Sequence, residues 1–259
     1  MAKDGVLEAA REAPKVPVRS PVLGIGLGRG GSGKSTLLSE MVWRARSQGR
    51  EVVVGDFDPR SRTLSDLFPE AVRPEGEALP DAKKTFVGML NRMVKERCSG
   101  VIDFGAGDRL LAEHGRDLKL VEFCRRRGID LLAMYVLGPD EEDLRHCLSI
   151  WEAGYFRPER TVVAMNEGVI RDGDTVLGAF EPTMGDGRFL GMVRESGAKV
   201  ILVTRLACMK LVRDRGLGFH EAARGGLPDD LAVEEFMVED WLADLEDKRA
   251  REGVAEWLP

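Results

Sequence analysis

The sequence predicts an α/β domain, a mostly parallel central sheet flanked by helices. Three observations predict it. Short apolar runs alternate with longer amphipathic ones along most of the 259 residues, the pattern of repeated strand–helix–strand units. A glycine-rich segment stands between the first apolar run and the first amphipathic one. Two further apolar runs each end on aspartate, in Asp56-Phe57-Asp58 and in Asp103-Phe104-Gly105. In parallel α/β sheets the carboxyl ends of the strands are where ligands bind.

The elements follow in order. Residues 22–27 form a short buried strand of alternating apolar residues and glycine. From Ser35 to Gln48, Leu37, Leu38, Met41, Val42 and Ala45 fall at helical spacing, and Gly49 stops the helix. Residues 51–55 are a second strand. Residues 81–97 place Phe86, Val87, Leu90, Met93 and Val94 on one helical face. A short third strand, Val101 and Ile102, ends in Asp103, and residues 110–127 are helical in large part, ending at Gly128. Residues 131–137 are a fourth strand and 141–151 a helix; 161–165 and 199–204 are the fifth and sixth strands. The stretch 169–183, centred on Arg171-Asp172-Gly173-Asp174, reads as a loop or hairpin inserted between those last two strands. The expected organisation is a flexible leader over 1–20, one nucleotide-binding domain over 21–227, and an acidic amphipathic helix within 228–259.

Composition bounds the function. No run of 18 apolar residues exists, so no membrane-spanning helix is expected. The first 20 residues mix charges with Pro14 and Pro17 and lack the apolar core of a secretory signal. Cys98, Cys124, Cys147 and Cys208 are far apart, which argues for free thiols in a reducing cytoplasm rather than a disulfide framework or a zinc site. Net charge is −6, unevenly spread. Residues 228–259 hold eleven acidic against three basic residues, a balance of −8, which leaves the preceding 227 residues at +2. The body therefore does not repel an anionic ligand.

The chemistry concentrates in Gly28-Arg29-Gly30-Gly31-Ser32-Gly33-Lys34-Ser35-Thr36, which fits G-x-x-x-x-G-K-[ST]. Glycines let successive backbone N–H groups point at a di- or triphosphate where side chains would block approach. Lysine at the seventh position reaches phosphate oxygens, and the following hydroxyl can ligate Mg²⁺. Strand before and helix after are the setting this loop requires. The expected ligands are ATP and Mg²⁺, because Asn166-Glu167-Gly168-Val169 lacks the aspartate of a guanine-reading N-K-x-D.

Together these motifs resemble the ParA/MinD-type ATPases. Arg29-Gly30-Gly31-Ser32-Gly33-Lys34-Ser35 is similar to their deviant Walker A motif, Asp56-Phe57-Asp58-Pro59 to their D-x-D-P-Q segment, and 101–107 to their Walker B strand and glycine turn. The resemblance covers residues 22 to about 205 in order and spacing. It implies that Lys34 neutralises phosphate charge, that Ser35 ligates Mg²⁺, and that Asp56 and Asp103 support the metal through its water shell. It implies further that Asp58 positions the attacking water and that Asn166 hydrogen-bonds adenine; a strand-ending turn is the other reading of Asn166. The family's signature lysine is here Arg29, and Arg60 stands for the family's glutamine. The resemblance implies a homodimer formed on ATP binding, with Arg29 reaching the partner's phosphates, and a protein partner that stimulates slow hydrolysis.

Four readings compete: a ParA-like ATPase that partitions or positions DNA or another large cargo, an accessory ATPase of conjugative transfer, a metabolic P-loop enzyme, and a nucleotide-gated interaction module with little turnover. The metabolic reading lacks a substrate subdomain, and Arg125-Arg126-Arg127 reads as a solvated helix end. The final helix, over 231–249, carries an apolar stripe, but its polar face is acidic, which anionic headgroups repel. It is expected to pack on the body or to meet a basic partner. Arg205, Lys210, Arg213, Arg215 and Arg224 form a modest basic patch for nonspecific DNA contact.

Overall fold

A computed structural model describes residues 19–59, 61–76, 78–105 and 109–259. Arg60, Ala106, Gly107, Asp108 and most of the expected leader lie outside the described residues. The chain runs β1 (Val22–Leu27), α1 (Lys34–Ser47), β2 (Val52–Asp56), α2 (Thr63–Leu67), α3 (Leu79–Glu96), β3 (Ser99–Asp103), α4 (Arg109–Asp117), α5 (Leu120–Arg127), β4 (Asp130–Leu137) and α6 (Glu141–Glu152). It continues through β5 (Arg160–Asn166), α7 (Val176–Gly185), α8 (Gly187–Ser196), β6 (Lys199–Val203), α9 (Met209–Asp214), α10 (Phe219–Glu221) and α11 (Ala232–Arg251). The six strands form one parallel sheet in the order β2-β3-β1-β4-β5-β6. This matches the predicted fold class, and each predicted strand is present.

Alternation along the strands sorts the core into two layers. Leu23, Ile25 and Leu27 of β1 face a layer built with α3 to α8, including Phe86, Leu120, Leu148, Phe180 and Phe189. Val22, Val54, Val101 and Met134 face the other, built with α1, α2 and α9 to α11. On that second face β1 presents Gly24 and Gly26. A Cβ at Gly26 would stand 2.5 Å from Leu38 Cδ1, and one at Gly24 would stand 3.0 Å from Met41 Cε. Bare backbone there lets α1 lie close against the central strand, which fixes where the loop joining them must turn.

One predicted element is divided and another differs. The stretch expected to be helical in large part over 110–127 is two helices, broken where Lys119 takes the left-handed φ of 49°. Leu118 packs against the core and Leu120 is buried within it. Residues two apart point to opposite sides of one helix, so both reach the core only if the helix restarts. The loop or hairpin expected over 169–183 is a 3₁₀ turn (Glu167–Val169) and a tight turn, followed by α7. Thr175 caps α7 by accepting from the Gly178 N–H at 3.2 Å, and Phe180 and Thr183 are buried one turn apart. Those anchors outweigh Pro182, which lacks an N–H for the helix.

Val238, Trp241 and Leu245 of α11 are buried in this second layer, Trp241 against Phe219 of α10. Near its end Arg249, 1% exposed, donates to both oxygens of Glu40 on α1, with Nη1 to Oε1 at 3.0 Å. Burial alone would raise the Glu40 carboxyl, but the Arg249 charge and hydrogen bonds, with His220 Nε2 at 3.6 Å, outweigh it and hold the group at about 2. A carboxyl that titrates lower in the folded than in the unfolded chain binds fewer protons when native. The stability it supplies is therefore complete above its usual value of 4.5 and is lost as pH falls toward 2. Arg249→Met is expected to destabilise the fold by about 3–5 kcal/mol at neutral pH, since Glu40 is left buried and unpaired. In urea unfolding that deficit should shrink between pH 4.5 and pH 3. A deficit that is the same at both pH values would remove the ion pair as its cause.

Candidate functional site

The glycine loop leaves β1 at the centre of the sheet, with β3 on one side and β4 on the other. At this position the chain's connections part to left and right, the switch point where open α/β sheets take ligands. Gly33 closes the loop at φ 89°, and a Cβ there would stand 2.1 Å from Asn166 Nδ2. Only glycine meets both demands. Around Gly30 and Gly31 the space is open.

Lys34 and Ser35 open α1, and both point at one carboxylate. Asp103 ends β3 in register with Gly26 of β1 and Asp56 of β2. Its Oδ2 accepts from Ser35 Oγ at 2.6 Å, and its Oδ1 accepts from the Gly105 N–H at 3.0 Å and from Lys34 Nζ. Lys34 and Asp103 are both almost fully buried. The structure thus brings together three of the predicted residues, from loop and strand. Asp58 lies beside them on the cleft wall, with its carboxylate against Gly105, and its Oδ1 accepts from the Ser61 N–H at 3.2 Å.

Other predicted residues take different places. Asp56 does not line the cleft. Its Oδ2 accepts from Arg73 Nη1 and from the Ser65 N–H, each at 2.9 Å, and its Oδ1 from the Asp58 N–H at 3.4 Å. Asn166 braces the loop from the far side: Nδ2 donates to the Ser32 carbonyl at 2.8 Å and Oδ1 accepts from the Gly168 N–H at 2.9 Å. One N–H of its amide stays uncommitted by these bonds. Arg29 leans across the loop mouth to Asp143 on α6, Nη1 to Oδ1 at 3.4 Å. Burial pushes the Asp143 carboxyl up, against the pull of the Gly138 N–H and of Arg29.

The cleft over the loop has a volume of about 300 Å³. Its wall away from Asp58 combines Val203, Leu206 and Met209 with Trp241, whose Nε1 donates to the Thr204 carbonyl at 2.9 Å. No sequence motif marked that wall; the signal was only that β6 ends at the same edge of the sheet. Of the basic patch, Arg205 and Arg213 line the cleft, and Arg205 is also held by Asp172 at 2.9 Å and by the Ile170 carbonyl. Lys210, Arg215 and Arg224 are exposed.

The fit to a magnesium nucleotide can be tested on the residues themselves. Ser32 Oγ, within the loop, is buried without a hydrogen-bond partner, an orphan that a phosphate oxygen would satisfy. Among the described residues no three His, Cys, Asp or Glu side chains cluster as a metal cage. Mg²⁺ carried in with phosphate and water needs only one or two protein oxygens, and Ser35 and Asp103 supply them.

No protein-family model matches the chain, and no curated protein matches it. Solved structures do. The MinD cell division protein of Aquifex aeolicus is 14% identical, over 86% of this chain and 98% of that one, with a TM-score of 0.47. A Cyanothece McdA variant in complex with ATP is 14% identical over 87% and 97%, with a TM-score of 0.46. The signal recognition particle receptor FtsY of Elizabethkingia anophelis, in complex with GDP, is 16% identical over 62% of this chain, with a TM-score of 0.43. The chain spans about half of that receptor's length. With every score below 0.5, these likenesses bear no weight in reading the site, which stands on its own geometry.

Asn166→Ala is expected to lower stability by about 1–2 kcal/mol, because the Ser32 carbonyl loses its buried donor. An unchanged urea midpoint would show that the loop holds its shape without that brace.

Proposed function

We propose that this chain is a Mg²⁺-dependent ATPase of the ParA-like kind. It cycles between an ATP-bound dimer and an ADP-bound monomer to partition or position DNA or another large cargo, in the cytoplasm, with a protein partner stimulating hydrolysis. The observation that carries the reading is the single carboxylate of Asp103 beneath the glycine loop, on which Lys34 and Ser35 converge. Such a pairing stations an ammonium and a metal-ligating hydroxyl at the helix start, where phosphate is expected. Bound Mg²⁺ would draw charge from the phosphates and so ease departure of the leaving oxygens.

The chain's own residues take the rest. Loop N–H groups over 30–36 cradle phosphate, Lys34 balances its charge, and Ser35 with Asp103 holds the metal side. Asp58, at the cleft wall, orients the attacking water. Asp56 acts at one remove, since its bonds to the Ser65 and Asp58 N–H groups set the loop that carries Asp58. The apolar wall at Leu206 and Met209 suits a purine base, with Asn166 at its edge. Lys210, Arg213, Arg215 and Arg224 supply the cations for nonspecific DNA contact.

Isothermal titration tests the site. Wild-type protein should bind MgATP and not MgGTP, and Lys34→Ala should weaken ATP by about 100-fold or more, the cost of burying charge without its partner. Undiminished binding by Lys34→Ala would sink the assignment of the loop.

A second reading, the nucleotide-gated module with little turnover, is favoured by one contact. Arg29 is engaged by Asp143 of its own chain, whereas a trans-acting cation must be released to reach the partner's phosphates. Sedimentation with saturating ATP in the Asp58→Ala background separates the two. The positioning ATPase requires a dimer that Arg29→Ala abolishes and Arg29→Lys retains. A monomer throughout would leave the interaction module.

A further inference from the structure

α11 carries large apolar residues beyond the stripe that its contacts with the body bury. Val238, Trp241 and Leu245 form its buried stripe. Further round the helix, beginning beside Trp241, Val233, Phe236 and Met237 fall at i, i+3 and i+4, with 64%, 65% and 40% of their surface exposed. A surface helix facing water on its outer side ordinarily carries polar residues there. Three large apolar side chains within one turn make a patch of the kind that marks an interaction site.

The charge around the patch is of one sign. Its neighbours along the chain are Asp229, Asp230, Glu234, Glu235, Glu239 and Asp240, and no lysine or arginine occurs between Arg224 and Lys248. Among the described residues none of these six forms an ion pair within the chain; Glu235 accepts only from the Gly225 N–H, at 3.0 Å. Apolar anchors inside an acidic rim are complementary to a surface of one chemistry, apolar at the centre and cationic at the edge. A second copy of this chain does not fit. A two-fold contact would set this face against itself, acid against acid. Anionic lipid headgroups and DNA are repelled for the same reason.

We propose that the outer face of α11 is the docking site for a basic amphipathic helix of a protein partner, its apolar stripe on Val233, Phe236 and Met237 and its lysines or arginines on the acidic rim. Helix-on-helix recognition of this kind reads anchors at i, i+3, i+4 spacing. The assignment is independent of the nucleotide reading, since none of these three residues lines the cleft.

The probe is a labelled 18-residue peptide of leucine and lysine, its leucines at i, i+3, i+4 spacing, titrated by fluorescence anisotropy against the full-length protein at physiological salt. Wild-type protein should bind it, and the double variant Val233→Ser, Phe236→Ser should weaken binding about tenfold or more. Both side chains are exposed, so the variant's thermal midpoint should stay that of the wild type. The pair Glu239→Lys, Asp240→Lys should weaken binding as well and flatten its salt dependence. A scrambled peptide of the same composition should bind the wild-type protein at least tenfold more weakly. Equal binding of the scrambled peptide, or of the intended peptide to both double variants, would overturn the proposal. So would a peptide-free dimer, or binding to phosphatidylcholine vesicles, that the Val233→Ser, Phe236→Ser variant loses, because the face would then belong to a second copy or to lipid.

Discussion

Much of this molecule is arranged to keep one carboxylate satisfied at the end of a central strand. Asp103 is 2% exposed, and a buried charge without partners is far too costly to keep. Its three donors come from different places: the side chains that open α1 and a backbone N–H two residues on. For Lys34 and Ser35 to arrive there, α1 must start directly above the sheet, which requires Gly24 and Gly26 on the face of β1 beneath it. The loop must then turn sharply at Gly33, and Asn166 must hold it from the β5 side. The glycines, the lysine and the two strand-end residues are consequences of a single electrostatic constraint.

α1 carries a second buried charge, Glu40, less than two turns beyond Lys34, and this one is answered from the far end of the chain by Arg249. Arg44 on the same helix pairs with Glu246 at 2.7 Å, so helices α1 and α11 meet through a double ion pair beside an apolar seam. One end of α1 is thus anchored to the sheet and its flank to α11. Movement of α11 relative to the body would have to break charged contacts as well as apolar ones, which makes it a rigid wall for the cleft that Trp241 lines.

The sheet was legible in the sequence because parallel strands buried on both faces read as unbroken apolar runs, and because each is bounded by glycine or a charge. The loop, Lys34, Ser35 and Asp103 were legible because their spacing reports their chemistry. What escaped was set by partners distant in sequence. Nothing local marks Arg73 as the residue that takes Asp56, 17 positions earlier, or Asp143 as the counter-charge of Arg29, 114 positions away. The break at Lys119 depends on where two leucines meet a core formed by other elements. α7 was hidden by Gly173, Gly178, Pro182 and Gly185, residues whose propensities argue for a loop and which tertiary burial of Phe180 overrode.

The pairing of Glu40 with Arg249 joins residues 209 apart in the chain, and that separation has a consequence for how the molecule is made. A ribosome delivers α1 early, when the guanidinium that will neutralise its inner face has not yet been synthesised. Until α11 emerges, Phe219 lacks the Trp241 ring against it and Glu40 lacks its counter-ion. The sheet can assemble strand by strand during synthesis, but the layer containing α1 closes only once α11 has left the exit tunnel. Until then a nascent chain of this protein presents an open apolar surface, the kind of surface that chaperones cover.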